Sequence, residues 1–405
     1  MSPAVPAVTD PLERAAWSWV AHLLAGGTTA WAAWVESPES VAHDVRRPVG
    51  LDALPGAAQL ELLRVLVEAA GAPLEESLAL RVLRRPAPGR GPVDLPLGWP
   101  GEGQVTADGF HHRSAPPTDP GSLDVEEVLR VAAGVIADLL LEEPAAPRRR
   151  TRAVPTRLPR PRTGPSVWVE GPPRSRAAVR AELAAGGTRL HRPRLRWRGG
   201  RTLPDRVLVV VPPLERGLLE VWEDRSVAGA ARRWERWVQE IQGSNRLPPS
   251  LRSRSVALWW AERIGADRVQ VTVRHGVDAA GDLSALEVDV LRRVNAVLVL
   301  HRGGDDRAAI AARLGERLQG LGRSIGVPGP AELRVPVAQL RWLQAWSARI
   351  TDGLTRAGYP VDGDLASLRP RPPAEGDVHS LDPREVLALM TALLLPGRAA
   401  RRDPR

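Results

Sequence analysis

The chain has no cysteine and no lysine among its 405 residues. Without cysteine there are no disulfides, no thiolate nucleophile and no sulfur-ligated zinc. Without lysine the 56 basic residues are all arginine, so neither a Schiff-base lysine nor the ordinary lysine-bearing phosphate loop can be built. Aromatics other than tryptophan are nearly missing: one Phe and one Tyr stand against 14 Trp. No run approaches the roughly 18–20 continuous apolar residues of a membrane-spanning helix. The first 30 residues carry Asp10, Glu13 and Arg14 where a signal peptide would be apolar. No G-x-G-x-x-G fingerprint supports a dinucleotide enzyme. A cytoplasmic protein that does not enter a membrane is expected.

What is present is unevenly charged. Residues 1–147 carry 10 arginines against 20 carboxylates, a net of −10, and residues 148–206 carry 17 against 3, a net of +14. The remainder is +5, within a total of +9. With 39 prolines, 37 glycines and arginine as the sole strong base, the composition reads as that of a GC-rich genome. Basicity alone is therefore a poor pointer to nucleic acid.

The front reads as helix. In "DPLERAAWSWVAHLLAGG", Leu12, Ala16, Trp19, Leu23 and Leu24 recur near a 3.6-residue period until Gly26–Gly27. Thr29 suits the N-cap of a short helix bearing Trp31 and Trp34. "AAQLELLRVLVEAAG" and "APLEESLALRVLRR" predict two more helices, Gly71 closing the first and Pro73 near the start of the second. Residues 86–120 read as loop. A further helix follows in "DVEEVLRVAAGVIADLLLEE", where Asp124 and Glu127 are spaced like a capping box. Residues 144–165, "PAAPRRRTRAVPTRLPRPRTGP", hold seven arginines and little to bury, which predicts an extended linker.

Beyond the linker the period changes. "SVWVEG", "DRVLVVVPP" and "DRVQVTVRHG" are short valine-rich runs bounded by turn residues, as buried strands are. Helical patterns at 173–186, 214–225, 229–242, 253–264, 284–299, 305–320 and 337–357 fall between and after them. This alternation predicts an α/β fold, a parallel sheet flanked by helices. The expected organisation is an acidic all-α domain at 1–143, the linker at 144–165, the α/β domain at 166–395 and a basic tail at 396–405.

Several of these segments, in order, resemble the sulfotransferase-like proteins of high-GC bacteria. Those are relatives of enzymes that share the P-loop fold and use the donor 3′-phosphoadenosine-5′-phosphosulfate (PAPS). "RVLVVVPPLERGLLEVWED", "WERWVQEI", "LWWAERIGADRVQVTV", "LSALEVDVLRRVNAVL" and "WLQAWSARITDGLTRAGYPVDGDLASLRP" carry the similarity. It covers about 165–395 and nothing in 1–147.

In that family the strand, loop and helix that open the domain grip the donor's phosphosulfate. Backbone N–H groups at the helix start face the anion and a cation neutralises it. The matching stretch is "VWVEGPPRSRAAVRAEL". Gly171, Pro173, Arg174 and Ser175 stand where the resemblance expects them, whereas Arg176, Ala177 and Ala178 replace glycine and hydroxyl residues. Pro212, followed by Pro213, occupies the place of the arginine that binds the 3′-phosphate. Glu220 replaces a serine, and its charge would repel a phosphate. Arg216 is a further cation near these positions. The family's intervening strand is not found in the short stretch between loop and second strand. The resemblance therefore implies a degenerate donor site, no cofactor, and action by binding a protein partner. An active sulfotransferase using PAPS, with Arg174 and Arg176 as cations, is the alternative.

A second alternative is a polyanion or nucleic-acid binder. Arg148, Arg149, Arg150 and Arg152 form a run, and Arg194, Arg196 and Arg198 alternate around Trp197, a composition suited to phosphate contact and base stacking. The same charges suit a solvated linker or a surface facing the acidic front. Trp17, Trp234, Trp237 and Trp342 are expected as core anchors. The 8 histidines show no metal-ligand spacing: His111 and His112 are adjacent and point apart, and His275 and His301 stand alone. No metal is expected.

Overall fold

The computed structural model describes residues 10–40, 48, 51, 53–86, 96–100, 117–143, 166–191, 203–274, 283–301, 304–324, 333–374 and 377–395. Helix α1 (Pro11–Leu24) begins on Asp10, whose carboxylate accepts from the Leu12 N–H at 2.9 Å. Helix α2 (Trp31–Glu36) has Ala30 at its N-cap, not Thr29. Thr29 is engaged in the preceding loop: its carbonyl accepts from the Trp19 indole at 2.9 Å and its hydroxyl meets His22 Nε2 at 3.0 Å. Helix α3 (Ala57–Ala70) closes on Gly71 in the left-handed region, as expected. Helices α4 (Glu76–Arg84) and α5 (Val125–Glu142) follow, the latter capped by Asp124 through the Glu126 N–H.

The sheet-bearing stretch runs β1 (Ser166–Glu170), α6 (Pro173–Ala185), β2 (Arg189–Leu190), β3 (Arg206–Val211), α7 (Leu214–Val227), α8 (Trp234–Ser244), α9 (Ser253–Ile264) and β4 (Val269–Val273). Then come α10 (Ala285–Leu298), α11 (Gly304–Ser324), α12 (Val337–Ala357), β5 (Val361–Asp362) and α13 (Pro383–Leu394). Among the described residues all strand pairs are parallel, in the order β2-β1-β3-β4-β5. The fold is α/β with a five-stranded parallel sheet flanked by helices, as the valine runs predict.

Central β3 reads as continuous valine because both its faces are covered: Val207, Val209, Val210 and Val211 are all buried. Val167 and Val169 of β1 pack with Val210 against Val179 of α6. Trp168, which alternates with those valines and so points to the other face, lies 6.4 Å from Trp260 of α9. Thus α6 and α9 sit on opposite sides of the sheet. Helix α12 packs against α7, α8 and α9.

Two compact units are interleaved along the chain, where the sequence reading has continuous segments. One gathers Met1–Pro144, Leu286–Gly329 and Leu381–Arg405; the other gathers Ala145–Ala285 and Pro330–Ser380. The helices α10 and α11, expected within 166–395, and α13, for which the sequence reading has no helix, thus group with α1–α5. The cause is α5, which is apolar almost all round and needs covering on every side: α3, α4, α11 and α13 all pack on it. In the same unit Arg293 donates to Glu126 Oε2 and to Asp289 Oδ2, each at 2.6 Å, and Arg292 donates to Asp289 Oδ1 at 2.6 Å. Burial pushes the Asp289 carboxyl up, but Arg292 and Arg293 outweigh it and hold the group below the usual carboxylate range.

Candidate functional site

Open α/β sheets of this strand order bind ligands at the carboxyl ends of β1 and β3, where the chain's direction across the sheet reverses. Both strand-to-helix turns at that point are double prolines. Pro172–Pro173 leads from β1 into α6, and Pro212–Pro213 leads from β3 into α7. A helix start attracts anions through the backbone N–H groups that have no acceptor within the helix. Proline has no N–H to offer. Of the next donors in α6, the Ser175 N–H goes to Glu220 Oε2 at 2.9 Å, and the Arg176 N–H goes to the Pro172 carbonyl at 2.9 Å. Neither of these two N–H groups is left to meet an anion.

Glu220 sits where such an anion would sit. It comes from α7, is 1% exposed, and accepts from the Ser175 hydroxyl at 2.6 Å as well as from its N–H. Ser175 is buried to the same degree. Arg216, one turn earlier on α7, brings Nε to 4.0 Å from the same carboxylate. Arg174 turns toward buried Glu223, with 3.1 Å between Nη1 and Oε2. A carboxylate held at a helix start by backbone and hydroxyl donors is favourable for the same reasons a bound phosphate would be.

Gly171 has a packing reason to be glycine. Its φ is +141°, and a Cβ there would meet the Val210 carbonyl oxygen at 2.8 Å and the Val210 Cβ at 3.0 Å. The residue lets β1 lie against β3 independently of any ligand.

The structure thus brings Gly171, Pro173, Arg174, Ser175, Arg176 and Arg216 together at one end of β1 and β3. Sequence reasoning gave Glu220 only a repulsive part and missed Glu223. The repeated Pro-Pro after two valine strands, with two glutamates three apart on the second helix, was the available signal. Arg148, Arg149, Arg150, Arg152, Arg194, Arg196, Trp197 and Arg198 lie outside the described residues, as do His111, His112 and His275. His301 places Nδ1 at 2.9 Å from the Val297 carbonyl, a helix-end contact. The pattern Gly322-x-Ser324-x-Gly326 spells a nucleophile elbow, but Ser324 is the last residue of α11, not part of a strand-to-helix turn.

Trp17, Trp234 and Trp237 are core residues as expected. Trp342 is not: it is half-buried, and its indole donates to Asn245 Oδ1 at 3.3 Å beside Trp346, which does so at 3.1 Å. The buried stripe of α12 runs through Leu340, Leu343, Ser347, Ile350 and Leu354, and position 342 falls to its side. Among the described residues no group of three or more His, Asp or Glu could hold a metal ion, and no helix is long and apolar enough to cross a membrane. Compared with known proteins, the chain matches no family model, no curated protein and no solved structure.

Proposed function

We propose that the α/β unit is a sulfotransferase-like scaffold whose donor site is filled from within, and that the protein acts by binding a protein partner instead of transferring sulfate. The observation that carries this reading is the Glu220 carboxylate, bonded at 2.9 and 2.6 Å to the Ser175 N–H and hydroxyl. A phosphosulfate entering there would have to displace two hydrogen bonds to a charged group, about 1.5–3 kcal/mol each. It would also bring its own negative charge against a carboxylate in a dry site.

The remaining residues do not fit a PAPS donor either. Four prolines remove backbone donors from both turns, and Pro212 stands where the resemblance places the arginine for the 3′-phosphate. Arg174, the one loop cation at its expected position, already faces Glu223. No transfer step follows from this arrangement. An occluded ligand position on an intact sheet favours recognition over catalysis, because function resides in sites and not in the fold.

The test is the melting temperature of the full chain with and without adenosine 3′,5′-bisphosphate. A ligand at about 100 times its Kd stabilises by about 2.7 kcal/mol. No shift is expected at millimolar nucleotide. A saturable shift, or labelled sulfate moved from PAPS onto any acceptor, would overturn the reading in favour of an active enzyme using Arg174 and Arg176.

A further inference from the structure

Parallel sheets are ordinarily covered on both faces. Here α9 lies on one face, and α6 packs over Val167, Val169 and Val210 on the other. Beside α6 that second face continues as a groove of about 510 Å³. Val167, Leu208, Gln270 and Thr272 form its floor, and Val179 and Leu183 of α6 form one wall. Arg189 and Arg206, both exposed, stand at the end where the strands begin. From the far end Arg274 reaches Glu182 on the α6 wall at 2.8 Å, an exposed pair that an occupant has to part, and Asp362 lies next to Thr272 in the sheet.

We propose that this groove docks an acidic amphipathic helix supplied by a partner protein. The proposal names the surface through which the partner-binding reading operates, and it rests on that reading. Three features select this occupant. The first is length. Arg206 precedes the Val207–Val269 pair and Arg274 follows the Val211–Val273 pair, a run of about 20 Å at ~3.3 Å per residue. That equals about 13 residues of helix. The second is the mixed floor, apolar at Val167 and Leu208 and polar at Gln270 and Thr272, which accepts one apolar stripe and not a wholly apolar rod. The third is polarity. A helix laid antiparallel to the strands, as α6 is, ends over Arg189 and Arg206. There the partial negative charge of its C-terminus and any acidic side chains meet two guanidinium groups.

The experiment uses the full chain and a synthetic 14-residue amphipathic helical peptide with glutamates in its last turns, compared with a counterpart bearing arginines there (about 13 residues fill the groove). Binding is read by fluorescence anisotropy. The acidic peptide should bind at least about tenfold more tightly. The double variant Arg189→Glu/Arg206→Glu should reverse the preference, and Leu208→Asp should abolish binding of both peptides. Because the chain has no cysteine, Gln270→Cys introduces a single thiol whose maleimide labelling should be fast alone and slowed by the acidic peptide. Equal binding of the two peptides, a preference that survives the double variant, or a thiol that is unreactive without peptide would each overturn the proposal. Both arginines are exposed, so their reversal leaves the core intact, and the labelling result stands independently of them. Nucleotide binding in the melting experiment would remove the donor-site reading without altering these outcomes, and failure of the peptide leaves the nucleotide result unchanged.

Discussion

Glu220→Ala interrogates the closed end of the sheet most directly. The substitution deletes a carboxylate that is 1% exposed and leaves the Ser175 N–H and hydroxyl facing a void. Two hydrogen bonds to a charged acceptor contribute about 3–6 kcal/mol gross. Release of the carboxylate from a buried position offsets part of that, and the Ser175 hydroxyl can rotate to a new acceptor while its N–H cannot. The net loss should be about 2–4 kcal/mol. Urea unfolding followed by circular dichroism should therefore show a clearly lower midpoint for the affected transition. Glu220→Gln, which keeps the shape and one acceptor oxygen, should lose roughly half as much. In Glu220→Ala, sulfate at matched ionic strength should restore more stability than it adds to the wild type, since the same donors then face a vacant anion position. If Glu220→Ala unfolds within about 0.5 kcal/mol of the wild type, the carboxylate does not hold this turn shut and the reasoning fails.

Other substitutions probe the surrounding structure. Gly171→Ala places a Cβ at 2.8 Å from the Val210 carbonyl oxygen at a φ of +141°, and should cost about 2–4 kcal/mol in a thermal melt. A neutral result there would mean that β1 and β3 can separate without penalty. Asp289→Asn breaks a buried network and should cost about 3 kcal/mol at neutral pH. Because the folded Asp289 carboxyl is held below its unfolded value, its contribution is complete above the unfolded pKa and is lost as pH falls through the folded one. The variant should accordingly show a shallower decline in stability on acidification, and an unchanged slope would refute the assignment. Trp222→Phe loses a fully buried indole that donates to the Arg232 carbonyl at 2.9 Å and should cost about 2 kcal/mol. Trp342→Phe, at the surface of α12, should cost under about 1 kcal/mol; equal effects would contradict the burial difference.

The three long strands and most helices were legible in the sequence because each buries a continuous or periodic apolar face. Strands β2 and β5 were not, since two residues each, Arg189–Leu190 and Val361–Asp362, carry no pattern to read. Helix α8 begins at Trp234, later than its periodicity suggests, because Gly229 at φ +69° terminates the preceding turn and Arg233 becomes the N-cap. Alternation of strand and helix also cannot distinguish a helix that packs on the sheet from one that leaves it. Val386, Leu389, Met390 and Leu394 of α13 look like any amphipathic stripe, and only the three-dimensional arrangement shows that they pack on α5. At the candidate site, the chain spells out the prolines and the acid at position 220. It does not spell out the direction of the acid, and that direction turns an expected repulsion into a pair of hydrogen bonds.

The interleaving of the two compact units has a consequence for biosynthesis. The chain passes from one unit to the other four times, at 144/145, 285/286, 329/330 and 380/381. When α5 leaves the ribosome, the surface destined for α11 and α13 is bare, and α13 starts about 240 residues later. At ordinary elongation speeds that is a delay on the order of tens of seconds. The nascent amino-terminal helices must stay incomplete, or be sheltered by a chaperone, until the final helix is made. A premature stop codon shortly before Pro383 should therefore do its damage at the opposite terminus of the polypeptide.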